Sequence, residues 1–186
     1  MQLTDFLIPA YTNMLRALSD WLDKAASESA NPSSILSAQL ASDMFPLSTQ
    51  IRFACVQAYE VVARLQGEPF PEVWNDLIEE GRNGGDQPGS VEDAQARIRD
   101  TIAFLEDLSS DALDDGAGLS IVHELPTGMI FDMTGEQYAR DWALPQFYFH
   151  LMAAYAILRH SGVGLGKADY VQHAFTYLRP GTMPEM

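Results

Sequence analysis

The chain has 186 residues, 47% of them hydrophobic and 20% charged, which is the composition of an ordinary folded domain and predicts one domain over residues 1–186. Its net charge is −15, and its 11 Lys and Arg residues form no cluster. That excludes the basic surfaces that nucleic acids and anionic membranes require, so neither is expected as a partner. No apolar run approaches the roughly 20 residues needed to span a bilayer. The opening MQLTDFLIPAYTN has neither a basic start nor a cleavage pattern, so a cytoplasmic protein is expected. Cys55 is the one cysteine, which excludes an internal disulfide.

From Thr4 to about Ala30, Leu7, Tyr11, Met14, Leu15, Leu18, Trp21, Leu22 and Ala25 recur at three and four, predicting an amphipathic helix. Thr4 is its expected cap, and Pro9 predicts a kink or a later start. Asn31-Pro32-Ser33-Ser34 breaks the pattern. Ile35, Leu36, Leu40 and Met44 are apolar enough to pack on a bundle. A second helix follows Pro46, with Leu47, Ile51, Ala54, Cys55, Ala58, Val61, Val62 and Leu65 on one face and an end near Gly67.

Residues 68–89 are rich in Pro, Gly and acidic side chains and read as loop, with one short helical turn around Val73 to Glu80 and with Trp74 and Leu77 as anchors. Ser90-Val91-Glu92-Asp93 is a capping-box variant that opens a third helix, whose apolar face carries Val91, Ala94, Ile98, Ile102, Leu105 and Leu108. Two apolar runs flanking Pro126-Thr127-Gly128 predict a hairpin. Thr134 caps a helical lead-in, and Pro145 starts the last long helix, which ends at Ser161-Gly162. In the tail, Tyr170, Phe175 and Tyr177 are available to dock. Four long amphipathic segments make an all-α four-helix bundle the economical solution.

On the last helix Gln146 and His150 stand four apart and share a face, the geometry by which a helix offers two ligands to one metal. A core histidine with hydrogen-bonded nitrogens is the plainer reading of His150, because metal sites ordinarily take three protein ligands or more. His160 belongs to a helix C-terminus, where a cation suits the dipole. His123 reads as a surface residue of the hairpin, and Cys55 as a buried inert thiol. There is no H-E-x-x-H, no C-x-x-C and no nucleophile elbow. Gly162-Val-Gly-Leu-Gly166 follows a helix, whereas a phosphate-cradling loop precedes one.

Two stretches, ALPQFYFHLMAAYAILRHSGVGLGK and SAQLASDMFPLSTQIRFAC, resemble the last-helix and second-helix signatures of an uncharacterised bacterial family in the DinB/YfiT-like superfamily. The opening helix and the TGEQY segment fit as well. The resemblance implies an up-down-down-up four-helix bundle, with a small β-hairpin before the last helix here, and commonly a homodimer. Many members of that superfamily hold a divalent metal with three histidines, one from the second helix and two spaced four apart on the last. Some are thiol-dependent transferases; others are hydrolases or isomerases. On that pattern His150 falls on the second of the paired histidines and Gln146 on the first. The second helix has no histidine, so Asp43 or Gln50 is the nearest candidate there. The resemblance therefore implies a degenerate site. One outcome is a metal-free pocket of His150, Gln146 and Gln50 that binds a small ligand or serves structure. The alternative is an enzyme of hydrolase or thiol-transferase type with an atypical Zn, Ni or Mn site at His150 and at most Asp43.

Overall fold

The longest apolar period forms the longest helix. In the computed structural model, which describes residues 2–28 and 32–182, α1 spans Leu3–Glu28 and buries the expected stripe from Leu7 to Ala25. The expected end near Ala30 lies outside the described residues. Thr4 is not a cap but a buried residue of the first turn. Its N–H and hydroxyl both donate to Asp114 Oδ1 at 2.9 Å, and its oxygen accepts from the Leu113 N–H at 2.9 Å. A distant acidic side chain thus supplies the acceptor that a local cap would have provided. The helix begins before Pro9 rather than after it.

A 3-10 segment, Pro32–Ser37, leads on, burying Ile35 and Leu36 while Leu40 stays exposed. Helix α2, Leu47–Gln66, closes on Gly67, whose positive φ of 69° is the left-handed turn that favours glycine. Where a loop with one turn was expected, there is an eleven-residue helix, α3, Glu72–Arg82. Tertiary contacts hold it. Leu77 is fully buried, and the hydroxyls of Thr49 and Ser48 donate to the carbonyls of Gly81 and Gly84, each at 2.8 Å. Helix α4, Val91–Glu106, opens on Ser90 and Asp93 as a reciprocal capping box, as the sequence predicts.

Strands β1 (Ser120–Glu124) and β2 (Ile130–Thr134) form the expected antiparallel hairpin, with Ile121 opposite Met133 and His123 opposite Phe131. Thr134 then caps a continuous helical run, α5 (Gly135–Gln137), a π-helical segment (Tyr138–Ala143) and α6 (Leu144–His160). Pro145 therefore lies inside a longer run instead of starting it. Proline lacks an N–H and crowds the carbonyl four residues back, a conflict that the wide π turn relieves. In the tail, Tyr170 of α7 (Lys167–Tyr170) stacks on Trp21 at 5.5 Å, whereas Phe175 and Tyr177 are exposed.

Pairings between helices set their directions. Tyr11 stacks on Phe147 and Trp21 meets Tyr155, so α1 and α6 run parallel. Ser19 bonds Gln95 while Arg16 pairs with Glu106, so α1 and α4 are antiparallel. Gln50 meets His150 and Glu60 meets Tyr138, so α2 opposes α6. The result is an all-α, up-down-down-up bundle with a hairpin before its last helix. Its core is one cluster reaching from Leu7 to Leu165. No helix among the described residues is long and apolar enough to cross a membrane.

Candidate functional site

His150 is brought to α2 by its place on the inner flank of α6, where it is 8% exposed. Its Nδ1 lies 2.9 Å from Gln50 Oε1, and Gln50 Nε2 donates to the Phe45 carbonyl at 3.2 Å. The second bond sets the first. A carbonyl can only accept, so the amide nitrogen of Gln50 faces Phe45 and its oxygen faces the ring. Nδ1 therefore carries the proton, and Nε2 keeps its lone pair. Burial pulls the imidazole down from 6.5 to about 4, so it is neutral at pH 7.

Aromatic rings surround it. Phe53 and Phe149 meet the imidazole edge-on, both at 5.4 Å, and Phe45 packs on Phe53 at 5.6 Å. Phe45 and Phe149 are 52% and 59% exposed, so the rim is apolar and open to solvent. Phe53 in turn rests on Gly81 of α3, where any Cβ would collide with its ring.

The other expected members of the site are placed differently. Gln146 is half-buried one turn before His150 and makes no side-chain hydrogen bond among the described residues. Asp43 is exposed in the turn before α2. One imidazole with amides is a poor donor set for zinc or nickel. Among the described residues, no three His, Cys, Asp or Glu side chains are grouped to hold a metal ion. The residues present do not fit a three-histidine centre.

A second polar cluster lies beneath the hairpin, and it corrects the reading of His123 as a surface residue. His123 is only 6% exposed, with the Trp142 ring 4.5 Å away and neither ring nitrogen hydrogen-bonded. Its Nδ1 stands 3.8 Å from Glu60 Oε1, which Arg64 Nε holds at 2.8 Å and the Tyr138 hydroxyl reaches at 3.5 Å. Burial, and then Arg64, pull the His123 pKa down, while Glu60 pulls it up. Tyr11 and Tyr138 are raised, first by burial and then by Glu60. The signal was present in the strand pattern: Ile121 and His123 alternate onto the face that packs inward.

A third polar group, Arg52 and Arg97 on Glu80, sits between α2, α3 and α4. Nothing in the helical spacing pointed to it, because it depends on α3. Cys55 is buried as expected, and burial pushes its thiol up to about 11. His160 is exposed in the last turn of α6.

Residues 3–171 match the family described as a domain of unknown function (DUF1993). The crystal structure of a DinB family member from Shewanella denitrificans is similar, with a TM-score of 0.74 and 29% identity over 98% of this chain and 96% of that one. No curated protein matches. The fold, the hairpin and the match over nearly the whole chain agree: the protein belongs to the DUF1993 family and is a DinB-like bundle.

Proposed function

We propose that this protein is a small-ligand-binding bundle whose site is the neutral imidazole of His150. The observation that carries the reading is the Gln50 amide, which bridges His150 Nδ1 and the Phe45 carbonyl and so fixes the ring. A ring so held presents Nε2 as a hydrogen-bond acceptor, and burial keeps it uncharged. An acceptor among Phe45, Phe53 and Phe149 suits a neutral ligand with an apolar body and one N–H or O–H donor. Phenol is a suitable probe. Titration should shift the His150 Nε2 nitrogen resonance saturably in the wild type, and His150→Ala should abolish binding. Phenol that binds equally well to His150→Ala would overturn the reading.

One observation favours an enzyme instead. An unprotonated Nε2, with Nδ1 held by a second partner, is also the form in which histidine ligates metals. Elemental analysis after incubation with zinc, nickel and manganese separates the two readings. A near-stoichiometric metal that is lost in His150→Ala would replace ligand binding with a metal-dependent activity, with water or substrate completing the shell.

We further propose a homodimer through α6. Residues 142–158, from the end of the π segment into α6, carry no Asp, Glu, Lys or Arg, yet Phe149 and Met152 are exposed. In a chain of net charge −15, that face is where two copies can approach with least repulsion. The acidity argues against nucleic acid or an anionic membrane as partner, and a cytoplasmic setting suits the free buried thiol of Cys55.

A further inference from the structure

Arg52 follows Gln50 by two residues on α2, so it points roughly 200° away around the helix, toward α3 and α4. Its side chain is 5% exposed, yet its cation is poorly matched. Nε reaches Glu80 Oε2 at 3.4 Å, a long contact, and Nη1 is buried with no hydrogen-bond partner. The same carboxylate is already gripped by Arg97, whose Nε lies 3.1 Å from Glu80 Oε1 and whose Nη2 bonds the same oxygen. Two guanidinium groups thus share one carboxylate, and the more buried of them has the poorer share. A desolvated cation is stable only when its charge and its donors are both met.

Both arginines line a cleft of about 410 Å³, together with the carboxylates Glu80, Asp93 and Asp100 and with Gln87 and Gly89. Gly89 has a φ of +72°, and a Cβ there would lie 3.0 Å from Arg52 Nη2. The backbone therefore comes close to the guanidinium only because the residue is glycine. The pKa of Asp93 is lowered first by its Ser90 bonds and then by the nearby Arg52 and Arg97, but Asp93 offers neither arginine a hydrogen bond. Its Oδ2 accepts from the Ser90 N–H at 3.0 Å and the Ser90 hydroxyl at 2.9 Å, as the cap of α4. Asp100 stands at the rim with its side chain 61% exposed, 3.9 Å from Arg99.

We infer that the cleft between α2, α3 and α4 is a binding site for a small oxyanion, a carboxylate or phosphate group, held by Arg52 and Arg97. A planar guanidinium pairs with two oxygens of such a group at once, which Glu80 alone cannot offer to both arginines. The orphaned Nη1 donor carries this inference, since Glu80, Asp93 and Asp100 already offset the charge of the two arginines.

The test uses the full chain at fixed low ionic strength, titrated separately with inorganic phosphate and with succinate, and followed by calorimetry and thermal unfolding. At least one anion should bind saturably and raise the Tm. Which one does so identifies the group. Arg52→Gln should weaken binding tenfold or more, and Arg97→Gln, whose side chain is 28% exposed, gives the same readout if Arg52→Gln fails to fold. Asp100→Asn should tighten binding several-fold by removing a negative charge at the rim, an effect that a purely structural arginine would not produce. His150→Ala should leave anion binding unchanged, so this site stands or falls apart from the His150 reading. Saturable binding of neither anion, or equal binding by the wild type and the arginine variants, would overturn the inference.

Discussion

At the scale of single residues, His150 ties the fold to pH. Its folded pKa is about 4 against 6.5 when free, so the unfolded chain binds the proton more readily. The stability it contributes is complete above pH 6.5 and is lost as the pH falls through about 4. A displacement of that size is worth about 3 kcal/mol, since one pKa unit corresponds to roughly 1.4 kcal/mol. Urea unfolding at pH 7 and pH 4 should show this loss in the wild type and a smaller one in His150→Gln. Equal losses would assign the acid sensitivity elsewhere, and His123, whose pKa is lowered in the same sense, is the next group to substitute. His150 and Gln50 were both legible from the sequence, one from helical spacing and the other from the resemblance. Gln146 and Asp43 were legible as candidates, but only the fold could say that neither bonds to His150. His123 was misread because burial of one hairpin face depends on the residues beneath it, Glu60 and Trp142, which come from two other elements.

At the scale of elements, the four long helices were legible because each buries one stripe, and three local signals were realised where they were read: the Ser90–Asp93 box, the Thr134 cap and the left-handed Gly67. Helix α3 was not legible. Its sequence is acidic and flanked by Pro and Gly, and its stability comes from α2 through Leu77, Thr49 and Ser48. Gly81 is the close point of that packing. Gly81→Ala should drive a methyl group into the Phe53 ring and cost about 1–3 kcal/mol, the usual penalty of overpacking. Phe53→Leu in the same background should recover part of the loss, measurable as a double-mutant cycle in chemical denaturation. Ser90→Ala is a milder element-scale change, expected to cost about 1 kcal/mol by removing the cap of α4.

At the scale of the whole molecule, charge and apolar surface are segregated. Acidic side chains far outnumber basic ones, 26 to 11, while residues 142–158 carry no charged side chain. The proposed dimer would cover the exposed apolar side chains of that stretch, Phe149 and Met152. Sedimentation at micromolar concentration should give twice the chain mass of 20.6 kDa. Phe149→Asp with Met152→Asp should return the protein to monomer without unfolding it, because both residues are exposed in the single chain. A wild-type monomer at that concentration would remove α6 as an interface.

Gly81 and Glu80 are adjacent on the last turn of α3, and their neighbours belong to different sites. Gly81 carries the Phe53 ring that forms a wall of the His150 site, and Glu80 carries the carboxylate between Arg52 and Arg97. One turn of α3 thus packs against both neighbourhoods. Gly81→Ala, which crowds Phe53, is therefore also a change beside Glu80, and it strains at one point the packing on which both neighbourhoods depend.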